Sequence, residues 1–176
     1  VSTTHIYRVP LAANLPADSL AKPREIRVPI NFSHPPSEAD AATADRLCGE
    51  GYDALDGGEL DAARRKLEEA YNLDPRSGAK TGIGMVLLRE KKFDEAIEAL
   101  CIAKVIPSRS PANRFVAFHL HSLALAMGGQ VNESKAMLLG GVRRDIQDGR
   151  LLGSLGIVYA EAGDAGKAYI ALTMAV

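Results

Sequence analysis

The amino-acid sequence predicts an all-α protein in which antiparallel helical hairpins follow an extended N-terminal arm. Three observations lead to this fold class. Six of the nine prolines lie in the first 38 residues, apolar residues beyond them recur at three- and four-residue steps, and small residues recur at spacings of 33, 38 and 34 residues. The sequence therefore divides into an arm, residues 1–38, and a helical domain, residues 39–176.

The composition is that of a globular protein. A chain of 176 residues with 47% hydrophobic side chains is long enough and apolar enough to bury a core. Its 21 basic and 22 acidic side chains give a net charge of −1, which provides no field that would attract nucleic acid or an anionic membrane. No apolar run reaches the roughly 18 residues that suggest a membrane-spanning helix. We therefore expect neither nucleic-acid binding nor a membrane span.

The arm is predicted to be extended or irregular, because proline interrupts continuous helix. Two pieces of it, residues 5–11 and 25–32, have strand character. In the second piece Ile26, Val28 and Ile30 alternate with less apolar residues, as on a half-buried strand. Two interpretations follow: a linker, or a segment that docks its apolar face on a protein surface, in the same molecule or in a neighbour.

Eight helices in four hairpins are predicted for the remainder of the chain. Ser37 or Asp40 caps the first helix, which runs to about residue 55. The fifth helix begins at Ser110 and Pro111, after an insertion at residues 108–111. The other six helices are predicted at about residues 59–73, 77–90, 93–106, 131–145, 149–162 and 165–176.

Aligning the hairpin turns brings equivalent residues into register. A small residue at a helix crossing lets two backbones approach, while a leucine fills the adjacent groove. The small residues are Gly51, Gly84, Ser122 and Gly156 in the first helices, then Ala63, Ala96, Ser134 and Ala168, followed by Ala70, Ala103, Gly141 and Ala175, in the second helices. The leucines are Leu67, Leu100, Leu138 and Leu172.

Over residues 40–176 this pattern resembles the tetratricopeptide repeat. The shared motif residues are Leu47, Gly51, Gly58, Ala63, Leu67, Ala70 and Pro75 in the first repeat, and Leu155, Gly156, Tyr159, Gly163, Ala168 and Ala175 in the fourth. The sequence departs from the family in lacking tryptophan, in Ser122 and Ser134 of the third repeat, and in the insertion. The resemblance implies a right-handed solenoid of about four repeats that acts as a protein-interaction scaffold.

The resemblance also implies a concave groove that binds a protein or peptide partner. By motif position the groove residues are Asp45, Cys48, Tyr52, Thr81, Met85, Arg89, Val116, His119, Leu123, Met127, Arg150 and Ile157. This mostly apolar set with two arginines suits a partner that has apolar anchors and a carboxylate. Cys48 and Tyr52 occupy positions where a chaperone-tail clamp requires lysine and asparagine, so we do not expect that activity. The alternative is that several of these residues belong to the core or to ordinary surface.

No catalytic, metal or cofactor site is expected. His119 and His121 are two residues apart on a helix, so they lie on different faces and cannot share a metal ion. Cys48 and Cys101 have no zinc-site spacing and fit the pattern of buried thiols. Neither a nucleophile with its base nor a phosphate-binding glycine loop is recognisable.

Two function hypotheses remain open. In the first, the protein is an adaptor of a bacterial envelope assembly such as a secretion or pilus system, because a start at Val1 is compatible with processing; the periplasm or envelope is then favoured over the cytoplasm. In the second, it is a regulatory module trimmed from a larger chain and attached to an enzyme. The apolar residues 170–176 motivate the second hypothesis, since they predict that the chain continues or that another chain covers them. The arm or a second copy are further candidate partners.

Overall fold

The structure is a computed structural model that describes residues 5–8, 25–28, 36–142 and 149–175. In the arm, strands β1 (His5–Arg8) and β2 (Glu25–Val28) pair into a two-stranded sheet. Both strands lie inside the two pieces for which strand character was predicted. Docking of the arm on a protein surface stays a prediction.

Helices account for most of the described residues beyond the arm. They are α1 (Glu38–Asp56), α2 (Leu60–Leu73), α3 (Ala79–Arg89), α4 (Phe93–Val105), α5 (Pro111–Met127), α6 (Val131–Val142), α7 (Gly149–Glu161) and α8 (Ala165–Met174). The all-α fold of helical hairpins is thereby confirmed. Ser37 caps α1 by accepting a hydrogen bond from the backbone of Asp40 at 3.1 Å, as predicted. A 3₁₀ turn, Pro75–Ser77, precedes α3, so α3 begins later than predicted. The predicted end of the sixth helix, at residue 145, lies outside the described residues.

The turns of the four hairpins share one backbone geometry. Gly58, Gly129 and Gly163 have φ values of 81°, 84° and 74°, and Lys91 takes the same position in the second hairpin with φ 59°. These four residues are spaced 33, 38 and 34 apart, as the small residues are, which confirms the repeat register. Lys91 is the one residue of these four that is not glycine. The left-handed backbone conformation is less favourable for a residue with a side chain, by roughly 1 kcal/mol.

The described helices belong to two compact units. In the first unit, within residues 36–120, α1 packs on α2, α2 on α3 and α3 on α4. In the second, within residues 121–175, α6 packs on α7 and α7 on α8. The largest fully buried apolar side chains are Leu55, Leu67, Val86 and Leu100 in the first unit and Leu138 and Val158 in the second.

Close approach of the paired helices depends on the small residues. A methyl group placed on Gly84 would lie 2.5 Å from Cγ of Leu100, and one placed on Gly51 would lie 2.7 Å from Cγ of Leu67. Real Cβ atoms do not come this near to another side chain, so the leucine occupies the space that glycine leaves open. The predicted packing of leucine against a small residue is thereby confirmed for these two hairpins.

Serine replaces glycine and alanine in the third repeat without loss of burial. Ser122 and Ser134 are both fully buried, and the hydroxyl of Ser134 donates a hydrogen bond to the carbonyl oxygen of Ser122 at 2.7 Å. Because the buried hydroxyl of Ser134 has this acceptor, burying it carries little penalty. The departure from the family pattern is therefore accommodated within the second unit.

Replacing Gly84 by alanine is expected to lower the free energy of unfolding by about 1 to 2 kcal/mol. Overpacking against Leu100 costs about 1 to 3 kcal/mol, and the better helix propensity of alanine offsets part of that cost. Gly49→Ala is the matched control, because no described atom lies within 4 Å of a methyl group placed on Gly49 of α1. That control should be stabilised by up to about 1 kcal/mol. Urea denaturation followed by circular dichroism measures both; equal changes would contradict the packing role of Gly84.

Candidate protein-binding surface

The loop between α4 and α5, which carries the insertion, contacts both α1 and the turn that precedes α3. The guanidinium of Arg109 forms an ion pair with Asp45 of α1, and its Nη1 lies 3.4 Å from Oδ2 of the fully buried Asp74. The backbone N–H of Arg109 also donates to the carbonyl oxygen of Arg76 at 3.2 Å. Asp74 in turn accepts hydrogen bonds from the backbone N–H and Nε of Arg76, at 2.9 and 3.1 Å. The insertion therefore joins the first helix to this turn within the first unit.

Cys48 and Tyr52 of α1 are anchored to the same turn. The thiol of Cys48 lies 3.6 Å from the carbonyl oxygen of Ser77, and the hydroxyl of Tyr52 donates to the carbonyl oxygen of Gly78 at 3.3 Å. Burial, together with the smaller effect of the nearby Asp45 carboxylate, raises the pKa of Cys48 to about 11. Burial also raises the pKa of Tyr52. Both groups remain protonated at neutral pH, so each keeps the hydrogen atom that it donates to the turn.

The other groove residues of the first unit differ in exposure. Thr81 is buried like Cys48, so neither side chain reaches the surface. Met85 is half-buried and Val116 is 41% exposed. Arg89 is exposed, although its Nη1 donates to the carbonyl oxygen of Leu55 at 2.6 Å. The structure therefore leaves Met85, Arg89 and Val116 accessible to a partner.

Aromatic side chains accompany the groove position of α5. The ring of His119 lies 4.9 Å from that of Phe115 and 6.2 Å from that of Phe118, measured between centroids. The ammonium group of Lys104 lies 5.9 Å from the centroid of the Phe118 ring, on its face, and burial lowers the pKa of this lysine. His119 is half-buried, so only part of its side chain is accessible to a partner. We call Tyr52, Met85, Arg89, Val116 and His119 the first-unit patch.

The remaining predicted groove residues lie in the second unit. Met127 and Ile157 are 43% and 48% exposed, Arg150 is exposed and Leu123 is half-buried. Leu123 and Ile157 occupy the same repeat position as Tyr52 and Met85 of the first unit. Apolar side chains therefore recur at this repeat position.

Within residues 36–142 and 149–175 no group of three or more His, Cys, Asp or Glu side chains is arranged to hold a metal ion. Cys48 and Cys101 are free, buried thiols, as the sequence pattern predicted. None of the described helices combines the length and the apolar character needed to cross a membrane.

Sequence reasoning missed the two residues that organise this surface, Arg109 and Asp74. The helix predicted at residues 59–73 ends just before Asp74, and residues 108–111 are predicted only as an insertion before the fifth helix. The sequence feature that could have indicated the role of Arg109 is its charge within an insertion that the other hairpins lack. Its partners could not be identified, because Asp45 and Asp74 are distant in sequence from it.

Among the comparisons with known proteins, only those with solved structures find similarity, and that similarity is in the fold. No family model and no curated protein sequence matches it. A crystal structure of MamA is 21% identical, with a TM-score of 0.58 over 78% of this chain and 79% of that chain. MamA residues 41-end from Desulfovibrio magneticus RS-1 are 18% identical, with a TM-score of 0.55 over 75% and 73%.

A third similar structure is YrrB, described as a TPR protein with an unusual peptide-binding site. It is 19% identical, with a TM-score of 0.55 over 78% of this chain and 69% of that chain. The predicted resemblance is confirmed at the level of the fold by these neighbours and by the helical hairpins themselves. The chain therefore has the tetratricopeptide-repeat fold.

Proposed function

We propose that the protein is an interaction scaffold that binds a segment of a partner protein through the first-unit patch. The observation that carries the proposal is that Arg89 and Val116 are exposed and Met85 is half-buried, whereas Cys48 and Thr81, also at groove positions, are buried. Methionine adapts its shape to different apolar surfaces, and arginine pairs readily with a carboxylate. The fitting partner is a segment with an apolar anchor and one acidic group. The peptide-binding site described for YrrB, a protein of the same fold, agrees with this type of activity.

Two single substitutions test the patch, Met85→Glu and Val116→Glu. Each should lower the amount of partner captured from a lysate of the source organism by at least about tenfold, because burying one apolar side chain contributes about 1.5 to 3 kcal/mol to binding. Quantitative mass spectrometry of the captured proteins gives the readout. The matched control is Asn72→Glu, which adds the same charge at an exposed position of α2.

Proteins that bind wild type and the Asn72→Glu control equally, but neither patch variant, would support the proposal. A set of captured proteins that is identical for all four chains would refute it. Circular dichroism and the melting temperature establish that each variant is folded, so a loss of binding is assigned to the surface.

The finer assignments are also proposals. Within the first hypothesis the scaffold is an accessory of a bacterial envelope secretion or pilus assembly, and within the second it is a regulatory module of a larger chain. The full-length gene distinguishes them, since an upstream signal sequence favours the first and a long downstream extension the second.

The division into an arm, residues 1–38, and a domain, residues 39–176, has its own test: if the arm docks, deleting residues 1–36 should change the melting temperature or the oligomeric state.

A further inference from the structure

Two side chains of opposite charge lie at separate points along α1. Asp45 belongs to the first half of this helix, and Arg89, at the end of α3, donates through Nη1 to the carbonyl oxygen of Leu55 at 2.6 Å. Asp45 and Leu55 are ten residues apart in α1, which corresponds to about 15 Å along the helix axis. An acidic group and a basic group are therefore presented at a fixed separation.

Both charges are held in position by the chain itself. Asp45 pairs through Oδ1 with Nη2 of Arg109, and Nη1 of the same arginine lies 3.4 Å from Oδ2 of the fully buried Asp74. Arg89 is held by its hydrogen bond to the carbonyl oxygen of Leu55. Side chains that are already positioned lose less conformational entropy on binding than mobile side chains do, so both groups are suited to recognition.

Each of the two groups can also accept a further partner. The side chain of Asp45 is 60% exposed, and its ion pair with Arg109 uses only Oδ1. Arg89 is exposed, and within residues 36–142 and 149–175 no carboxylate forms an ion pair with it. The neighbouring Glu90 pairs with Arg64 and Lys92 instead. Since Leu55 engages Nη1, the edge formed by Nε and Nη2 of Arg89 remains for a carboxylate to bind in bidentate fashion.

The surface between the two charges is apolar. Tyr52 follows Asp45 by seven residues, so both lie on one face of α1, and its hydroxyl donates to the carbonyl oxygen of Gly78, just before α3. Met85 precedes Arg89 by four residues and shares its face of α3. Tyr52 and Met85 are both half-buried. The surface thus presents an acidic group, an apolar region and a basic group in this order.

We propose that Asp45 and Arg89 set the charge pattern and the orientation of the segment that binds the first-unit patch. A basic side chain of the segment pairs with Asp45, an acidic side chain pairs with Arg89, and an apolar side chain between them contacts Tyr52 and Met85. In an extended segment the two charged residues are about five positions apart, because extended chain rises about 3.3 Å per residue. This inference rests on the proposed function and adds to it the basic group, the spacing and the orientation.

The opposite orientation of the same segment is unfavourable. It would place the acidic side chain beside Asp45 and the basic side chain beside Arg89, and like charges brought together at an interface repel each other. Segments with two basic or two acidic groups lose one of the two ion pairs and gain one repulsive contact. The two charges therefore select both a pattern and a direction.

A phage-displayed library of random peptides, selected on the immobilised whole chain, is the probe. Peptides enriched on the wild type should carry a basic and an acidic residue about five positions apart, with an apolar residue between them. Asp45→Asn should remove the enrichment of the basic residue, and Arg89→Gln that of the acidic residue. The matched controls, Glu69→Gln and Arg65→Gln, remove the same charges from exposed positions of α2 and should leave both enrichments unchanged.

The two substitutions at the surface leave the fold intact. Asp45→Asn removes an exposed ion pair, which contributes little to stability. In Arg89→Gln the carbonyl oxygen of Leu55 keeps a donor, because it also accepts from the backbone N–H of Gly58 at 3.1 Å. Circular dichroism and the melting temperature check both variants.

An enriched peptide, synthesised with a fluorescent label, then assigns each pair. Replacing its basic residue by glutamine should weaken binding to the wild type about two- to fivefold, as expected for an exposed ion pair, and should not affect binding to Asp45→Asn. Replacing its acidic residue should weaken binding to the wild type in the same way and should not affect binding to Arg89→Gln. Fluorescence anisotropy measures these double-mutant cycles, which identify the partner of each peptide charge and hence the orientation.

The inference is overturned if the enriched peptides lack the paired charges, or if Asp45→Asn and Arg89→Gln enrich the same peptides as the wild type. Met85→Glu separates this result from the proposed function. If it abolishes enrichment in those cases, the first-unit patch binds partners and only the charge pattern is wrong. If no peptide is enriched, or if Met85→Glu enriches the same peptides as the wild type, the inference and the proposed function of the patch are both wrong.

Discussion

Replacing Leu67 by alanine is expected to lower the free energy of unfolding by about 3 kcal/mol, within the usual range of about 2 to 5 kcal/mol for a buried leucine. Leu67 is fully buried and lies between two helix backbones that meet it at Gly51 and Gly82. Neither glycine has a side chain that could move into the cavity, so the site cannot collapse well. Urea denaturation followed by circular dichroism gives the value.

The control for this prediction is Leu172→Ala, the same substitution at the same repeat position. Because Leu172 is 44% exposed, its truncation should cost about half as much, roughly 1 to 2 kcal/mol. Equal costs for the two variants would contradict both the packing of Leu67 by two helices and the open side of Leu172.

Removing the buried carboxylate with Asp74→Ala should lower the free energy of unfolding by about 2 kcal/mol. The backbone N–H of Arg76 would lose its acceptor at 2.9 Å, and an unpaired buried donor costs about 1 to 3 kcal/mol. The lost ion pairs add little, since the side chains of Arg76 and Arg109 are each about one-third exposed. Chemical denaturation measures the total, and hydrogen exchange at the Arg76 amide locates the effect.

Two further variants serve as controls for Asp74. Asp74→Asn keeps an acceptor for the Arg76 amide and should cost about half as much as alanine. Asp45→Asn removes only the exposed partner of Arg109 and should cost less than about 1 kcal/mol. If Asp45→Asn destabilised the chain as much as Asp74→Ala, the buried carboxylate of Asp74 would not contribute more to stability than the exposed ion pair of Asp45 and Arg109.

The helices and their pairing were predictable because their determinants are local and periodic. Gly51 and Leu67 lie within one hairpin, and the same spacing recurs along the chain, so their packing could be inferred from the sequence. The turn at Lys91, which lacks glycine, was also predictable, because it lies between the helices predicted at residues 77–90 and 93–106. The end of α2 was also predictable, because Asp74 and Pro75 stop it in the immediate sequence.

The burial and the contacts of individual groove residues were not all predictable from local periodicity. Motif position placed Thr81 in the groove, yet it is buried; for Cys48 motif position predicted a groove residue and the apolar pattern predicted a buried thiol, and the structure buries it. The thiol of Cys48 contacts the carbonyl oxygen of Ser77 in the 3₁₀ turn, which lies 29 positions away in the sequence. Periodicity carries no information about such contacts. Asp45 illustrates the same limit, because its ion-pair partner lies in a segment that has no counterpart in the other repeats.

The insertion also affects how the first unit unfolds. In repeat proteins each repeat contacts mainly its neighbours, so terminal repeats can fray independently of the others. The hydrogen bond from Arg109 to Asp45 joins residues 64 positions apart and links the first repeat to the loop that follows the second. The first hairpin is thereby coupled to a segment beyond its nearest neighbour. We expect this coupling to make unfolding of the first unit more cooperative than nearest-neighbour stacking alone would.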